Sequence, residues 1–407
     1  MRFMASAVFA LLLAVSALGV GVKDAHALNF GRTTVNPYVD FNTSYDDNVF
    51  RTNTDKIDDW FFLISPGIKL NVPQRDNLFE LEYRADIYKY LDTGKENDIV
   101  DHYLRGAAAF NFPGGMSIKV EDLANKSHES RGVENIVEVG SNLNRYYSNI
   151  ANAEIAYAFA DRYKIALGYQ NYIINYNLLD QKYRDQFDNA ATLTLFYQLM
   201  PKTSALLEGS YKRVNHDNPN VDVTTETPGL NRLFNSNEYW AKAGLTWNIT
   251  AKSTGTIKGG YEWKIFDNPE SKSFRSPIFE VDIDHHFTAK TAIKLTGLRQ
   301  AFETDDIGAS YYTDTTGAVE LSYRPLTKIE IKPRGSYSYD KYSNPVTVGT
   351  QNATRRDDLW NAGIDLTYNM NKWFSVGLGY TYSKRASNFA VYDYTDNLAM
   401  VKLTGTI

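Results

Sequence analysis

Cysteine is absent from all 407 residues of the chain. This absence excludes a disulfide framework, and it also excludes a lipoprotein anchored through an N-terminal cysteine. Beyond the first residues the chain lacks any run of 18 consecutive apolar residues, so no membrane-spanning helix is predicted there. Acidic residues outnumber basic ones, 48 against 43, which argues against nucleic acid as a partner.

The N-terminus has the pattern of a secretory signal peptide. Met1-Arg2 precedes an apolar run from Phe3 to Val22, and the segment ends in Ala25-His26-Ala27. We expect residues 1–27 to be removed, which leaves 28–407 as one domain with 41 basic and 47 acidic residues once Arg2, Lys23 and Asp24 are gone. A transmembrane anchor is the alternative, and the small residues at the cleavage offset disfavour it.

Long stretches of the mature chain alternate between apolar and polar residues. Residues 79–87, 255–265 and 374–382 each place apolar side chains on one parity and polar side chains on the other. A period of two predicts β-strands, and these are long enough for the roughly 9–11 residues that a tilted strand needs to cross a bilayer. With 29 Tyr and 21 Phe in a secreted chain, the pattern predicts an all-β transmembrane barrel of the outer membrane.

The connectors alternate between tight turns and longer polar loops. Turns at 113–115, 160–162 and 370–372 contrast with loops such as 127–142 and 342–355. The spacing predicts an up-and-down antiparallel barrel of about 18 strands, with 36–45 as the first strand and 327–341 and 356–369 flanking a late loop. Short turns and both termini are expected in the periplasm, and the long loops outside the cell. A propeller is the soluble alternative, but its repeat would hold four short strands where this chain has two long ones.

The polar parity of the strands predicts the surface that faces an aqueous lumen. Eighteen strands leave room for water inside the barrel. Both charge signs occur, and Tyr88, Tyr90, Tyr103 and Trp240 share this parity and offer sugar-stacking surfaces. The predicted lumen-lining residues are Glu80, Glu82, Arg84, Asp86, Lys119, Glu121, Lys258, Glu262, Lys264, Glu280, Asp282, Asp284, Glu330, Lys332 and Arg334.

No catalytic or cofactor-binding arrangement is predicted. The adjacent histidines His285 and His286 follow Asp284, but neighbouring side chains of a strand point to opposite faces. Acidic pairs are too common along the lumen parity to indicate glycosidase chemistry. We therefore expect a protein that is not an enzyme and that uses no cofactor.

The segment TSYDDNVFRT interrupts the alternation at residues 43–52. Asp46, Asp47 and Asn48 fall where the first strand leaves the membrane, and such side chains commonly cap turns. They also offer oxygens to Ca²⁺, although a calcium site takes about 6–8 oxygens and these three are too few. A structural role is therefore preferred over a calcium site.

The motif Tyr45-Asp46-Asp47-Asn48-Val49-Phe50, followed by a strand with Ser65-Pro66-Gly67, resembles the "putative beta-barrel porin" family and its EpsL-like exopolysaccharide-export members. The resemblance implies export of an exopolysaccharide or capsule-type polysaccharide across the outer membrane, with a periplasmic polysaccharide-export protein as partner. Outer-membrane lipid, lipopolysaccharide and the barrel-assembly machinery are the other partners expected of such a barrel.

Three functions stay open at this point. A polysaccharide-conducting barrel predicts a wide lumen without a folded segment inside it. A general diffusion porin for small hydrophilic solutes predicts a long loop folded inward, for which 127–142 and 216–234 are the candidates. An outer-membrane enzyme is the third and least favoured function.

Overall fold

A computed structural model describes residues 28–132, 141–216, 235–248, 252–304 and 309–406. Within these ranges the chain forms a short strand and eighteen long ones, each antiparallel to its neighbours in sequence. The strands are β1 Leu28–Phe30, β2 Thr33–Asp46, β3 Asp59–Gln74, β4 Asn77–Tyr90, β5 Ile99–Asn111, β6 Met116–His128, β7 Arg145–Phe159, β8 Tyr163–Tyr176, β9 Gln186–Met200, β10 Thr203–Asn215, β11 Ser236–Asn248, β12 Ser253–Phe266, β13 Phe274–Thr288, β14 Thr291–Phe302, β15 Tyr312–Leu326, β16 Ile329–Val348, β17 Gln351–Asn369, β18 Phe374–Ser387 and β19 Tyr394–Thr406.

The sheet closes on itself between the second and the last strand. β19 pairs with β2 from Leu398–Asp46 to Thr406–Tyr38, and β1 only adds a three-residue hairpin to β2. The result is the predicted closed antiparallel barrel of eighteen strands, β2 to β19. Among the described residues, no helix is long and apolar enough to cross a membrane.

In the described ranges, helical structure occurs only at one end of the barrel, where the longer connectors lie. Helix α1 spans Gly94–Asn97, and two 3-10 helices span Leu179–Arg184 and Ala390–Tyr392. We call this the loop end and the opposite one the turn end. At the turn end, β3 and β4 are joined by Arg75-Asp76 alone, and Arg75 adopts a positive φ of 55°.

The outward face carries the apolar parity, as the alternation predicts. Leu167, Leu193, Leu207, Ile364 and Leu378 each expose 44–61% of their surface there. In a bilayer these side chains meet lipid, and closure pairs the strand backbones that lipid cannot solvate. An apolar belt therefore surrounds the barrel.

Aromatic side chains border this belt at both ends. At the turn end Tyr157, Phe159 and Tyr163 stack in sequence, with ring centroids 5.8 Å apart in each pair. At the loop end, Trp60 packs against Tyr45 and Trp360 against Tyr337, at 5.3 and 4.4 Å. Amphipathic rings favour the headgroup level, so the two borders mark the membrane surfaces.

One predicted loop is wrong. Residues 342–355 are mostly strand, because β16 and β17 continue to Val348 and Gln351 and are joined by a two-residue turn at Gly349, whose φ is +61°. The pairing shifts between Lys341 and Pro345, and it resumes after this bulge at Pro345, which lies opposite Thr354. In the sequence, the polar residues and Pro345 suggested a loop. In the structure, cross-strand pairing extends the β16–β17 hairpin beyond the ends of the neighbouring strands at the loop end.

The outward orientation can be tested with two adjacent residues of β9. Leu193 lies at the strand centre on the apolar parity, whereas Thr192 has the polar parity. We expect Leu193→Arg to lower the free energy of unfolding by about 2–4 kcal/mol, because an arginine near the bilayer midplane faces lipid. Thr192→Arg, facing the lumen, should cost less than half as much. Equilibrium unfolding in lipid vesicles measures both, and equal costs would contradict the assignment of the two faces.

Candidate functional site

The polar parity forms a lumen wall in which opposite charges pair across neighbouring strands. On the wall from β3 to β7, Arg105 forms ion pairs with both Glu80 and Glu121, two of the residues predicted to line the lumen. The ion pairs there are Lys69–Glu82 (3.1 Å), Arg84–Asp86 (3.1 Å), Arg105–Glu80 (2.9 Å), Arg105–Glu121 (2.6 Å) and Lys119–Glu154 (3.9 Å).

On the facing wall the predicted charges are distributed by the antiparallel register. Lys258 lies opposite Glu280 and, together with Lys242, binds Glu280 and Glu208 at 3.1–3.6 Å. Asp282 lies opposite Thr256 and Thr296, whereas Asp284 lies opposite Thr254 on one side and Lys294 on the other. The other predicted residues on this wall form the pairs Asp284–His286 (3.2 Å), Glu330–Lys332 (3.2 Å), Glu330–Arg324 (2.9 Å) and Arg334–Asp365.

Glu262 and Lys264 do not line open lumen, contrary to the prediction, because both are 0% exposed. Lys264 donates to Glu238 and to Glu303, which follows the end of β14. Glu262 accepts the backbone N–H of Ala301 at 3.2 Å. Glu238 and Glu303 contact Lys264 from two sides, so these charges belong to a buried cluster at the loop end. Burial raises the pKa of the Glu303 carboxyl.

Asp86 is a third residue that departs from the prediction, since it is 6% exposed. Two of the aromatic residues on the lumen parity, Tyr90 and Tyr103, each have a ring face occupied by a neighbouring side chain. Tyr90 stacks on Phe61 at 4.8 Å, and the Arg84 guanidinium lies 4.5 Å from the Tyr103 ring centroid. They therefore pack against the protein and do not present open platforms for sugars.

The prediction omitted several residues that organise this wall. Arg105 lies two positions from Tyr103, which was assigned to the lumen, so parity alone could have found it. Asp365 likewise has the parity opposite to the exposed Ile364 and Leu366. Glu303 lies beyond the end of a strand, where alternation carries no signal.

The YDDNVF motif closes the seam between the first and last barrel strands at the loop end. Asp47 accepts the backbone N–H of Asn397 at 2.7 Å and its side-chain amide at 2.6 Å. Asn48, fully buried, donates to the carbonyl oxygens of Thr52 and Thr395, both at 2.9 Å, and accepts the Thr52 N–H at 3.0 Å. The motif thus caps its own turn and binds β19.

The other motif residues hold the same corner from both faces. Outside, the Tyr45 hydroxyl donates to Asp58 at 3.0 Å; inside, Val49 and Phe50 are buried. Asp46 accepts the N–H of Asn48 at 2.8 Å. Each residue of the motif therefore has a structural contact in the turn that it builds.

Carboxylate oxygens of Asp46, Asp47 and Asp396 lie within 4.8 Å of one another. The sequence analysis grouped Asn48 with Asp46 and Asp47, but its side-chain amide is hydrogen-bonded to backbone groups. The third member of the cluster is Asp396 instead. Arg51 pairs with Asp396 at 3.5 Å, and Asn397 already occupies both oxygens of Asp47. Protein donors therefore already serve this acidic cluster, and we do not propose a calcium site there.

A loop segment of residues 129–132, after β6, lies inside the mouth at the loop end. The Arg131 guanidinium donates to Asn97 Oδ1 at 2.8 and 2.9 Å and lies 4.4 Å from the Phe50 ring centroid. Burial lowers the pKa of Arg131 to about 10, so it remains charged at neutral pH. A cation between an amide oxygen and an aromatic face fixes the segment in place.

Gly132, the last described residue of this segment, contacts β18, which lies on the other side of the seam between β2 and β19. Arg385 of β18 donates to the Gly132 carbonyl at 3.0 Å, and Arg51 donates to the Arg131 carbonyl at 3.1 Å. Gly132 has a φ of +68°, and a Cβ there would lie 2.8 Å from Arg51. Five strands separate β6 from β18 around the wall, so the segment cuts across the mouth.

The loop segment is connected to the wall through buried hydrogen bonds. Asp59, at the start of β3, accepts the Thr93 hydroxyl at 2.6 Å, and Thr93 accepts the Asn97 amide at 2.9 Å. Asn97 then accepts Arg131, as described above. Asp59 and Asn97 are each 2% exposed, which shields the chain of bonds from water.

Comparison with known proteins places this barrel in a family. The model of the family "Putative beta-barrel porin 2" matches residues 24–406. The chain belongs to that family. It is therefore a porin-like β-barrel of the outer membrane of Gram-negative bacteria.

Solved structures similar to this porin are distant. OccK3 (OpdO) of Pseudomonas aeruginosa is 12% identical, with 92% of this chain and 95% of that chain covered and a TM-score of 0.44. OpdK of the same organism is 9% identical over 92% and 99%, with a TM-score of 0.46. At these values the likenesses carry no information about the solute. No curated protein matches the porin's sequence.

The buried charge cluster predicts a large stability effect. Lys264→Met would leave Glu238 and Glu303 buried without this cation, so we expect a loss of about 3–5 kcal/mol in the free energy of unfolding. Adding Glu303→Gln should recover part of that loss, because the carboxylate that relied on Lys264 is then neutral, whereas Glu238 keeps Lys212 at 3.2 Å. Arg213→Ala breaks a half-exposed pair with Asp267 and should cost about 1 kcal/mol or less. Similar costs for Lys264→Met and Arg213→Ala in urea unfolding would contradict this role of Lys264.

Proposed function

We propose that this porin is a passive diffusion channel for small hydrophilic solutes, without catalytic activity. The observation that supports the proposal is the segment 129–132, fixed inside the mouth by Arg131, Arg51 and Arg385. A loop of this kind narrows a barrel that would otherwise admit larger solutes. It also belongs to 127–142, one of the two segments for which the diffusion hypothesis predicts inward folding; residues 133–140 of that segment lie outside the described part of the chain.

The export of a polysaccharide remains the alternative implied by the EpsL-like resemblance. That hypothesis needs a lumen that passes a continuous polymer, and it rests on the motif at Tyr45–Phe50. Here the motif has another use, because Phe50 lies under Arg131 and supports the segment in the mouth. Small solutes are therefore the better-supported cargo. Of the second candidate loop, 216–234, residues 217–234 lie outside the described part of the chain.

The polar lumen wall supports the function of a diffusion channel over that of an enzyme. The charges described above are mostly held in ion pairs, which produce a lumen of mixed sign with hydrogen-bonding groups along its length. Such a wall accepts hydrated solutes without binding one charge strongly. The proposal therefore includes no cofactor.

We also propose that the turn end faces the periplasm and the loop end, with its lipopolysaccharide neighbours, faces outward. The native chain has no cysteine, so single cysteines at Glu270 and Asp76 can be labelled selectively. A maleimide attached to a polymer too large for porins should label Glu270→Cys on intact cells. It should label Asp76→Cys only after the outer membrane is permeabilised. The reverse pattern would overturn the orientation.

The pore constriction can be tested by releasing the loop segment. Arg131→Ala removes the bonds to Asn97 and the contact with Phe50, so we expect a higher single-channel conductance and passage of longer oligosaccharides. Arg213→Ala, which removes an arginine from an ion pair at the same end of the barrel, is the matched control and should leave both unchanged. Planar-bilayer recordings and liposome swelling with a size series of oligosaccharides give the two measurements.

Two results would contradict the diffusion channel. A wild-type barrel that conducts no ions in planar bilayers would exclude it. Wild-type passage of long polysaccharide chains, with Arg131→Ala indistinguishable from wild type, would favour export instead. Heat-modifiable electrophoretic mobility shows whether each variant has folded into a barrel.

A further inference from the structure

Two hollows indent opposite walls of the lumen. The first, of about 470 Å³, lies between β4 and β9, and the second, of about 350 Å³, lies between β14 and β18. Their central strands, β7 and β16, are nine places apart in a ring of eighteen, which is half of the circumference. Volumes of this order suit a small ligand.

The first hollow has a floor of small residues and a rim of hydrogen-bonding groups. Ala107, Ala109 and Gly168 leave the space. Arg105 is held between Glu80 and Glu121, so its position is fixed while part of its guanidinium stays exposed. Lys119 and Glu154, at 64% and 41% side-chain exposure, pair only loosely at 3.9 Å.

An amide pair completes the rim of the first hollow. Gln170 Nε2 donates to Asn152 Oδ1 at 2.9 Å. This bond orients both side chains and leaves the Gln170 oxygen and the Asn152 nitrogen for a solute. The hollow therefore offers donors and acceptors side by side, and their directions are set by bonds within the wall.

The second hollow repeats this arrangement with other residues. Its floor contains Ala318, Gly335 and Gly363, and Arg334 passes so close to Gly363 that a Cβ there would lie 3.1 Å from its Nε. Asp365 and Thr381 hold the Arg334 guanidinium, the latter at 2.9 Å.

A lysine and a glutamate again face each other on adjacent strands of the second hollow. Lys294 lies opposite Glu320 in the β14–β15 register, and neither makes an ion pair within the described ranges. Asn361 supplies an amide as in the first hollow. Both hollows therefore combine a clamped arginine, a lysine–glutamate neighbour pair, an amide and a floor of alanine and glycine.

This combination selects against ions of a single charge. A cation in either hollow would lie beside Arg105 and Lys119 or beside Arg334 and Lys294, and an anion would lie beside carboxylates. A hydroxyl group both donates and accepts hydrogen bonds, so it can use neighbouring donors and acceptors together. A solute carrying several hydroxyls on a small frame matches the alternating rim.

We propose that the two hollows are binding subsites for small, uncharged polyhydroxylated solutes such as monosaccharides. The inference rests on the proposed diffusion function and names its solute class. Open, water-exposed hollows bind weakly, which suits a channel that must release its solute. Their place on opposite walls gives a passing solute a subsite on either side of the lumen.

Glucose and gluconate serve as probes in planar-bilayer recordings of the full chain. Glucose should produce concentration-dependent current interruptions in the wild type, and the singly charged anion gluconate, of similar size, should produce them only at higher concentrations. Asn152→Leu fills the first hollow and removes its amide, and Asn361→Leu does the same in the second. We expect the double variant to weaken the apparent glucose affinity by about tenfold or more, the effect of losing one or more hydrogen bonds.

Ala151→Leu is the matched control, since it adds the same side chain next to Asn152 on the parity that faces lipid. It should keep the wild-type glucose response. A conducting wild type that ignores glucose, or a double variant that keeps the wild-type affinity, would overturn the subsites and leave the diffusion channel standing. A response to gluconate as strong as the one to glucose would also overturn them. A wild type that conducts no ions would reject both proposals.

Discussion

Backbone hydrogen bonding in a medium without water is the constraint on which this structure depends. Lipid offers no partner to an N–H or C=O group, so eighteen strands must close and leave no edge. The seam between β2 and β19 is where closure is completed, and there the pairing runs from Leu398–Asp46 to Thr406–Tyr38. Asp47 and Asn48 extend that pairing beyond the strands by binding Asn397 and the Thr395 carbonyl. The family motif therefore lies at the point where the barrel's topology is sealed.

Closure also decides the chemistry of the interior. Once one parity meets lipid, the other must carry the polar side chains, and these satisfy one another across strands. Arg105 between Glu80 and Glu121, and Lys258 between Glu208 and Glu280, are examples of this pairing. The resulting wall is polar without a strong net charge. Where small residues replace large ones, as at Ala107 and Gly168, the paired groups surround a hollow that a solute can enter.

The loop end joins the seam to the pore. Phe50 from the motif, Asn97 from α1 and Arg385 from β18 all contact residues 131 and 132. Residues 131 and 132 thus depend on three segments that are far apart in sequence, two that contact Arg131 and one that contacts Gly132. This arrangement links the residues that seal the barrel to the segment at its mouth, and in the proposed diffusion channel it would give the motif a role in permeation as well as in folding.

The sequence by itself determined the barrel, the number of its strands and the two faces of its wall, because a period of two is a local property that lipid makes obligatory. It also placed most lumen charges, since parity assigns Glu80 or Lys258 without knowledge of a partner. Only the tertiary structure decided which charges meet, because antiparallel register pairs Lys258 with Glu280 while sending Lys264 to Glu238 and Glu303. It alone decided that Glu262 and Lys264 are buried, that 342–355 is a hairpin and that 129–132 crosses the mouth. These features depend on contacts between segments distant in the chain, for which alternation along one strand carries no information.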